Sequence, residues 1–144
     1  MLYSEQITIP ANTSESSLVS TSLKLSIGVI HTVWLTFPPG CSGYVKVRMS
    51  IDGHPFLPVH KDSYIKGDGF TFAFPVMFEI TDEPMTLTVE AWSTGSSYAH
   101  SIQVVVLVLP KNLIVPSGAT EGILEGMKSL IIRPLVISQT TGAT

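Results

Sequence analysis

Charge is scarce in this sequence. Only 13% of its 144 residues are Asp, Glu, Lys or Arg, the formal net charge is −3, and the mean hydropathy is +0.38. A soluble domain normally carries about 25% charged residues, so this chain must cover much apolar surface against itself or against partners. The eight Lys and Arg stand singly along the chain. Neutralising a phosphate backbone takes clustered cations, so nucleic acid is not an expected partner. Cysteine is almost missing: Cys41 alone makes neither an internal disulfide nor a structural zinc site. Long apolar runs are missing as well. The longest, VVVLVLP from Val104 to Pro110, is strand-sized, against the roughly 20 residues of a membrane-spanning helix. No membrane partner is expected. The start, MLYSEQITIPANTSESS, lacks a basic segment followed by an apolar core, so no secretory leader is expected.

What the sequence does have is alternation. In FTFAFPVMFEI, positions Phe70, Phe72, Phe74, Val76, Phe78 and Ile80 are large and apolar, with Thr71, Ala73, Pro75, Met77 and Glu79 between them. Period two is the signature of a strand with one face on a core. Four of the six phenylalanines share this face, which places it at the centre of the core. The same spacing recurs in Leu23, Leu25 and Ile27, in Val33, Leu35 and Phe37, in Val45, Val47, Met49 and Ile51, and in Met85, Leu87, Val89 and Ala91. PPGCSG, KGDG, TDEP and STGSS supply the turns between them. Turns arriving about every 8 to 12 residues predict an all-β fold, an antiparallel β-sandwich or jelly roll. Seven to eight strands are expected before Pro110.

The ends predict extensions. Residues 1–17 read as an N-terminal arm with a short strand and a linker, residues 18–110 as the sandwich, and residues 111–144 as a C-terminal extension. In the extension, Ile123, Leu124, Met127 and Leu130 follow helical spacing over 118–130, and an extended tail comes after. A strand as short as that carrying Ile7 and Ile9 is not stable alone and must pair with an edge, which the linker allows to be a neighbour's. In SIQVVVLVLP the second face, Val105, Leu107 and Leu109, is as apolar as the first. Something must cover it, and a second copy is favoured over the C-terminal helix.

The stretch DGHPFLPVHKD, Asp52 to Asp62, holds the residue types a metal or a catalyst wants, with Asp68 further on. His54 and His60, however, flank prolines in an irregular run, whereas metal sites fix ligands on rigid positions. Asp52–Gly53 reads more simply as a hairpin turn. Cys41 lies in a β-turn without the helix terminus or paired base that activates a thiol, so it reads as a small buried apolar group. His31 shares parity with Val33 and reads as a core or interface histidine, and His100 as a solvent or neighbour contact. Trp34 and Trp92 fall on the polar parity of their strands and read as interface anchors ahead of sugar-stacking platforms. No phosphate loop, paired-carboxylate pattern or cofactor fingerprint occurs. Catalysis, a metal and a cofactor are therefore not expected.

The order of elements in GVIHTVWLTFPPGCSGYVKVRMSIDGHPFLP (Gly28–Pro58) and YIKGDGFTFAF (Tyr64–Phe74) resembles that of small structural proteins of tailed bacteriophages, most of all the capsid decoration proteins that cement a shell. The resemblance implies a non-enzymatic virion structural protein made in the host cytoplasm and placed on the capsid exterior. It implies a homo-oligomer, a trimer, bound to the major capsid protein. The interface would use Ile7, Ile9, Trp34, Trp92, Val105, Leu107 and Leu109. The alternative is a carbohydrate- or receptor-binding module of a phage tail or fibre, using Trp34, Trp92, Tyr98 and the loops around His54.

Overall fold

A computed structural model describes residues 1–114, and the expected 118–130 helix with its tail lies outside them. The chain divides into two compact units, Met1–Leu109 and Pro110–Thr144. Of the second, the described part is a short helix, α1 (Lys111–Ile114).

The first unit is an all-β sandwich of two antiparallel sheets. Its strands are β1 (Leu2–Ile9), β2 (Val19–Leu25), β3 (Gly28–Phe37), β4 (Lys46–Ile51), β5 (His54–Leu57), β6 (Ile65–Lys66), β7 (Phe70–Ile80), β8 (Met85–Trp92) and β9 (His100–Leu109). Sheet A has the order β1-β9-β3-β7. Sheet B has the order β2-β8-β4-β5, with β6 also pairing β4. Nine strands are seen where seven to eight were expected, because the run after Asp52–Gly53 forms two short pieces on one neighbour, β4. Counted as one broken strand, they give the interleaved order of an eight-stranded jelly roll.

The alternation does what the sequence predicts in most strands. Val45 just before β4, Val47, Met49 and Ile51 of β4, Leu87, Val89 and Ala91 of β8, and Ile102, Val104, Val106 and Val108 of β9 all belong to one buried core. Asp52 and Gly53 both take positive φ, +47° and +84°, the backbone of the two-residue turn that matches strand twist and that Asp-Gly favours. Asp52 also receives the Thr86 amide on Oδ1 at 3.0 Å and donates its own amide to the Thr86 carbonyl at 3.0 Å, tying the hairpin to β8.

Three expectations change. The N-terminal strand is not an arm: β1 pairs with β9 of the same chain along its whole length, and Ile7 and Ile9 are 3% and 0% exposed in the chain's own core. The sandwich therefore starts at residue 1, and neither isoleucine is available to a neighbour. The linker after it is pinned as well. The buried Ser93 hydroxyl donates to the Pro10 carbonyl at 2.8 Å and accepts the Thr13 amide at 3.1 Å, and the Gly95 amide donates to Asn12 Oδ1 at 2.7 Å.

The phenylalanine strand, β7, lies at an edge of sheet A and not at the centre of the core. The opposing edge of sheet B offers only the four residues of β5 and the two of β6. Phe72, Phe74 and Val76 are consequently half-buried against the margin of the core, Phe70 is 55% exposed, and Phe72 meets the rings of Phe37, Phe70 and Phe74. Third, β3 bulges between Ile30 and Thr32. The extra residue takes His31 out of the core parity while Ile30 and Val33 stay inside, and its Nδ1 lies 2.7 Å from Thr32 Oγ1.

Candidate functional site

The outer face of sheet A follows from the register. One row across the sheet runs Leu2, Leu107, Thr32, Pro75; the next runs Ser4, Val105, Trp34, Ala73. Beyond the first, Leu109 faces Val29, which pairs with Glu79 on its other side. On the opposite side a polar row of Gln6, Gln103, Thr36 and Thr71 closes the patch. These polar groups bond laterally: Thr36 Oγ1 lies 2.9 Å from Thr71 Oγ1, and Gln103 Nε2 donates to Ser4 Oγ at 3.3 Å. Glu79 is the one ionisable group in these rows. The result is an apolar field of Leu107, Val105, Leu109 and Trp34, all half-buried, with the exposed Leu2, Ala73 and Pro75 around it. Four of the seven residues assigned to an interface thus come together, on adjacent strands of one face.

Trp92 does not join them. It sits on the outer face of sheet B, opposite Lys46 in register, and is 4% exposed. What buries it comes from elsewhere in the chain. The Tyr64 ring meets it edge to face at 5.8 Å, and the Arg48 guanidinium lies 5.0 Å over it. Arg48 is held in turn by Glu90, with Nε to Oε1 at 3.0 Å, and by Glu15, with Nη1 to Oε1 at 3.1 Å. Burial alone lowers the Arg48 pKa, but the Glu90 hydrogen bond and the charges of Glu90 and Glu15 outweigh it and hold the group above its ordinary range. Sequence reasoning missed this cluster, because Glu15, Arg48, Tyr64, Glu90 and Trp92 share no local spacing. Replacing Arg48 with Met should lower stability by about 1–2 kcal/mol, since it removes a charged hydrogen bond and the cation over the indole. It should also change Trp92 fluorescence. An unaltered emission spectrum and midpoint would show the cluster to be idle.

Trp34, Trp92 and Tyr98 form no common aromatic platform. The two tryptophans lie on opposite outer faces of the sandwich, and Tyr98 is 75% exposed in the connection between β8 and β9. Among the described residues no three of His, Cys, Asp and Glu converge to hold a metal ion. His54 is exposed, and His60 Nδ1 lies 3.2 Å from the Lys61 carbonyl.

Cys41 is fully buried. Its turn is fastened to the loop before β7, where Asp68 Oδ1 accepts the Gly40 amide at 2.7 Å and the Pro38 carbonyl accepts the Gly69 amide at 3.2 Å. Burial, and secondarily the Asp68 charge, push the thiol pKa up. A disulfide-exchange reagent should leave Cys41 unmodified in the folded protein at pH 8 and react fully once it unfolds, and rapid native labelling would contradict the burial. The raised value favours the protonated folded state. Its contribution to stability is complete below the unfolded thiol's value of about 8.5 and is lost as pH rises from there through the folded-state value.

No protein-family model matches this chain, and no curated protein does. Among solved structures, the crystal structure of FlhE covers 74% of this chain and 94% of its own at 15% identity, with a TM-score of 0.35. PirA covers 73% and 94% at 11% identity and 0.36. A Bacillus endospore appendage, described as a family of disulfide-linked pili, covers 75% and 88% at 14% identity and 0.33. Scores this low carry no argument about function, and none of these three is a capsid decoration protein.

Proposed function

We propose that this chain is a non-enzymatic structural subunit that self-associates through the outer face of sheet A, with a capsid surface as the setting implied by its sequence resemblance. The observation that carries the reading is the apolar field of Trp34, Val105, Leu107 and Leu109, in rows whose one ionisable residue is Glu79, with His31 beside Thr32. At strand and residue spacings of about 4.8 and 3.3 Å, four strands of this length present a face of about 600 Å². Two such faces bury about 1,200 Å², the lower limit for a specific stable interface. Association therefore requires nearly the whole face, and it weakens on dilution.

Light scattering on the full chain tests the reading. A closed oligomer supports it, a face-to-face dimer being what two whole faces allow, and a monomer at every concentration overturns it. For the capsid setting the expected partner is the major capsid protein, and the check is co-sedimentation with assembled shells. Failure to sediment removes that setting and leaves self-association standing.

A further inference from the structure

On the other side of the molecule, a pocket of about 200 Å³ opens between the outer face of sheet B and the chain from Gly53 to Ser63. We propose that it binds a single neutral sugar ring, such as the terminal residue of a glycan. Its floor is the Arg48–Glu90 pair. Arg48 donates Nε to Oε1 of Glu90 and Nη1 to Oε1 of Glu15. Among the described residues, Nη2 of Arg48 and Oε2 of Glu90 make no hydrogen bond, a spare donor and a spare acceptor on one bonded pair that neighbouring hydroxyls can satisfy together.

Around the floor stand Ser50 and Ser63, with His60, Lys61 and Asp62, and Pro55 and Pro58 add an apolar wall. A pyranose offers this same combination, hydroxyls around the ring and a C–H face for the wall. Charge selects against ionic ligands. Arg48 and Lys61 stand with His60 beside three carboxylates, Glu90, Asp62 and the Glu15 carboxylate on Arg48. An anion would compete with carboxylates already in place, and a cation would have to displace the guanidinium. Size sets the rest: at about 30 Å³ each, about six or seven waters fill the space, enough for one ring and below the ~300 Å³ of drug-sized sites. This site is separate from the proposed self-association face and does not use Trp34, Tyr98 or an exposed tryptophan.

The test is titration of the isotopically labelled full chain with methyl glucoside, galactoside, mannoside and N-acetylglucosaminide, read by amide chemical shifts, with glucuronate as the charged control. At least one neutral glycoside is expected to give saturable millimolar shifts confined to residues 48–63 and Glu90. Ser50→Leu, which fills the pocket from the solvent face of β4, should weaken that binding at least tenfold, and Lys61→Ala severalfold, with both variants keeping the parent's spectrum elsewhere. The proposal fails if no neutral glycoside moves those amides, if Ser50→Leu binds as the parent does, or if glucuronate binds more tightly than its neutral counterpart.

Discussion

Deleting residues 1–9 is expected to leave the protein unfolded at room temperature, seen as loss of the β signal in circular dichroism and of amide dispersion in NMR. β1 covers the free edge of β9 from Leu2 to Ile9, and Ile7 and Ile9 are buried with Tyr3 packed beside them. Truncating one fully buried isoleucine costs about 2–5 kcal/mol. Removing two, together with a complete ladder of backbone hydrogen bonds, matches or exceeds the ~5–15 kcal/mol that holds an ordinary domain together. Ile9→Ala is the milder probe and should lower the melting temperature by roughly 10 °C or more. A truncated protein with a native-like spectrum would show β1 to be a dispensable arm.

Under the proposed self-association, the double variant Trp34→Glu, Leu107→Lys should be a monomer with its fold intact. Trp34 pairs with Val105 and Thr32 with Leu107, so the substituted side chains are diagonal neighbours across β3 and β9. Within one molecule the new charges can attract one another on a wet sheet face. At a dry interface they must be desolvated, and anchors of this kind are worth about 2 kcal/mol or more each. Association should weaken at least about 100-fold, equivalent to ~3 kcal/mol, while the melting temperature of the diluted protein moves by only a few degrees. Unchanged oligomer size would show that this face is not the interface.

The strands were legible because their signal is local. Val45, Val47, Met49 and Ile51 announce one buried face at period two, and Asp52–Gly53 announces its own turn. A strand's place within its sheet is not local information. The phenylalanines of β7 carry a strong apolar signal, yet they end incompletely buried because β7 lies at an edge and the facing layer is short there. Ile7 and Ile9 read as an arm because their partner, β9, lies about a hundred residues away in sequence. Trp92 read as exposed because its cover, Tyr64 and Arg48, belongs to other elements. The apolar outer face of β9 was visible in SIQVVVLVLP, and its continuation through Trp34 onto β7 needed the register.

The pairing of β1 with β9 brings the two ends of the sandwich side by side: Met1 donates its terminal amine to the Val108 carbonyl and accepts the Val108 amide on its own carbonyl. A linker of about three residues would close that gap, since hairpin loops of 2–5 residues suffice for antiparallel neighbours. The sandwich is then a ring in all but one bond. It can be cut open at an exposed turn such as Asp52–Gly53 and read in a new order without changing which strand lies beside which. A permuted chain of that kind would carry its new ends on the opposite sheet from the Trp34 field, leaving that face unobstructed when cargo is attached.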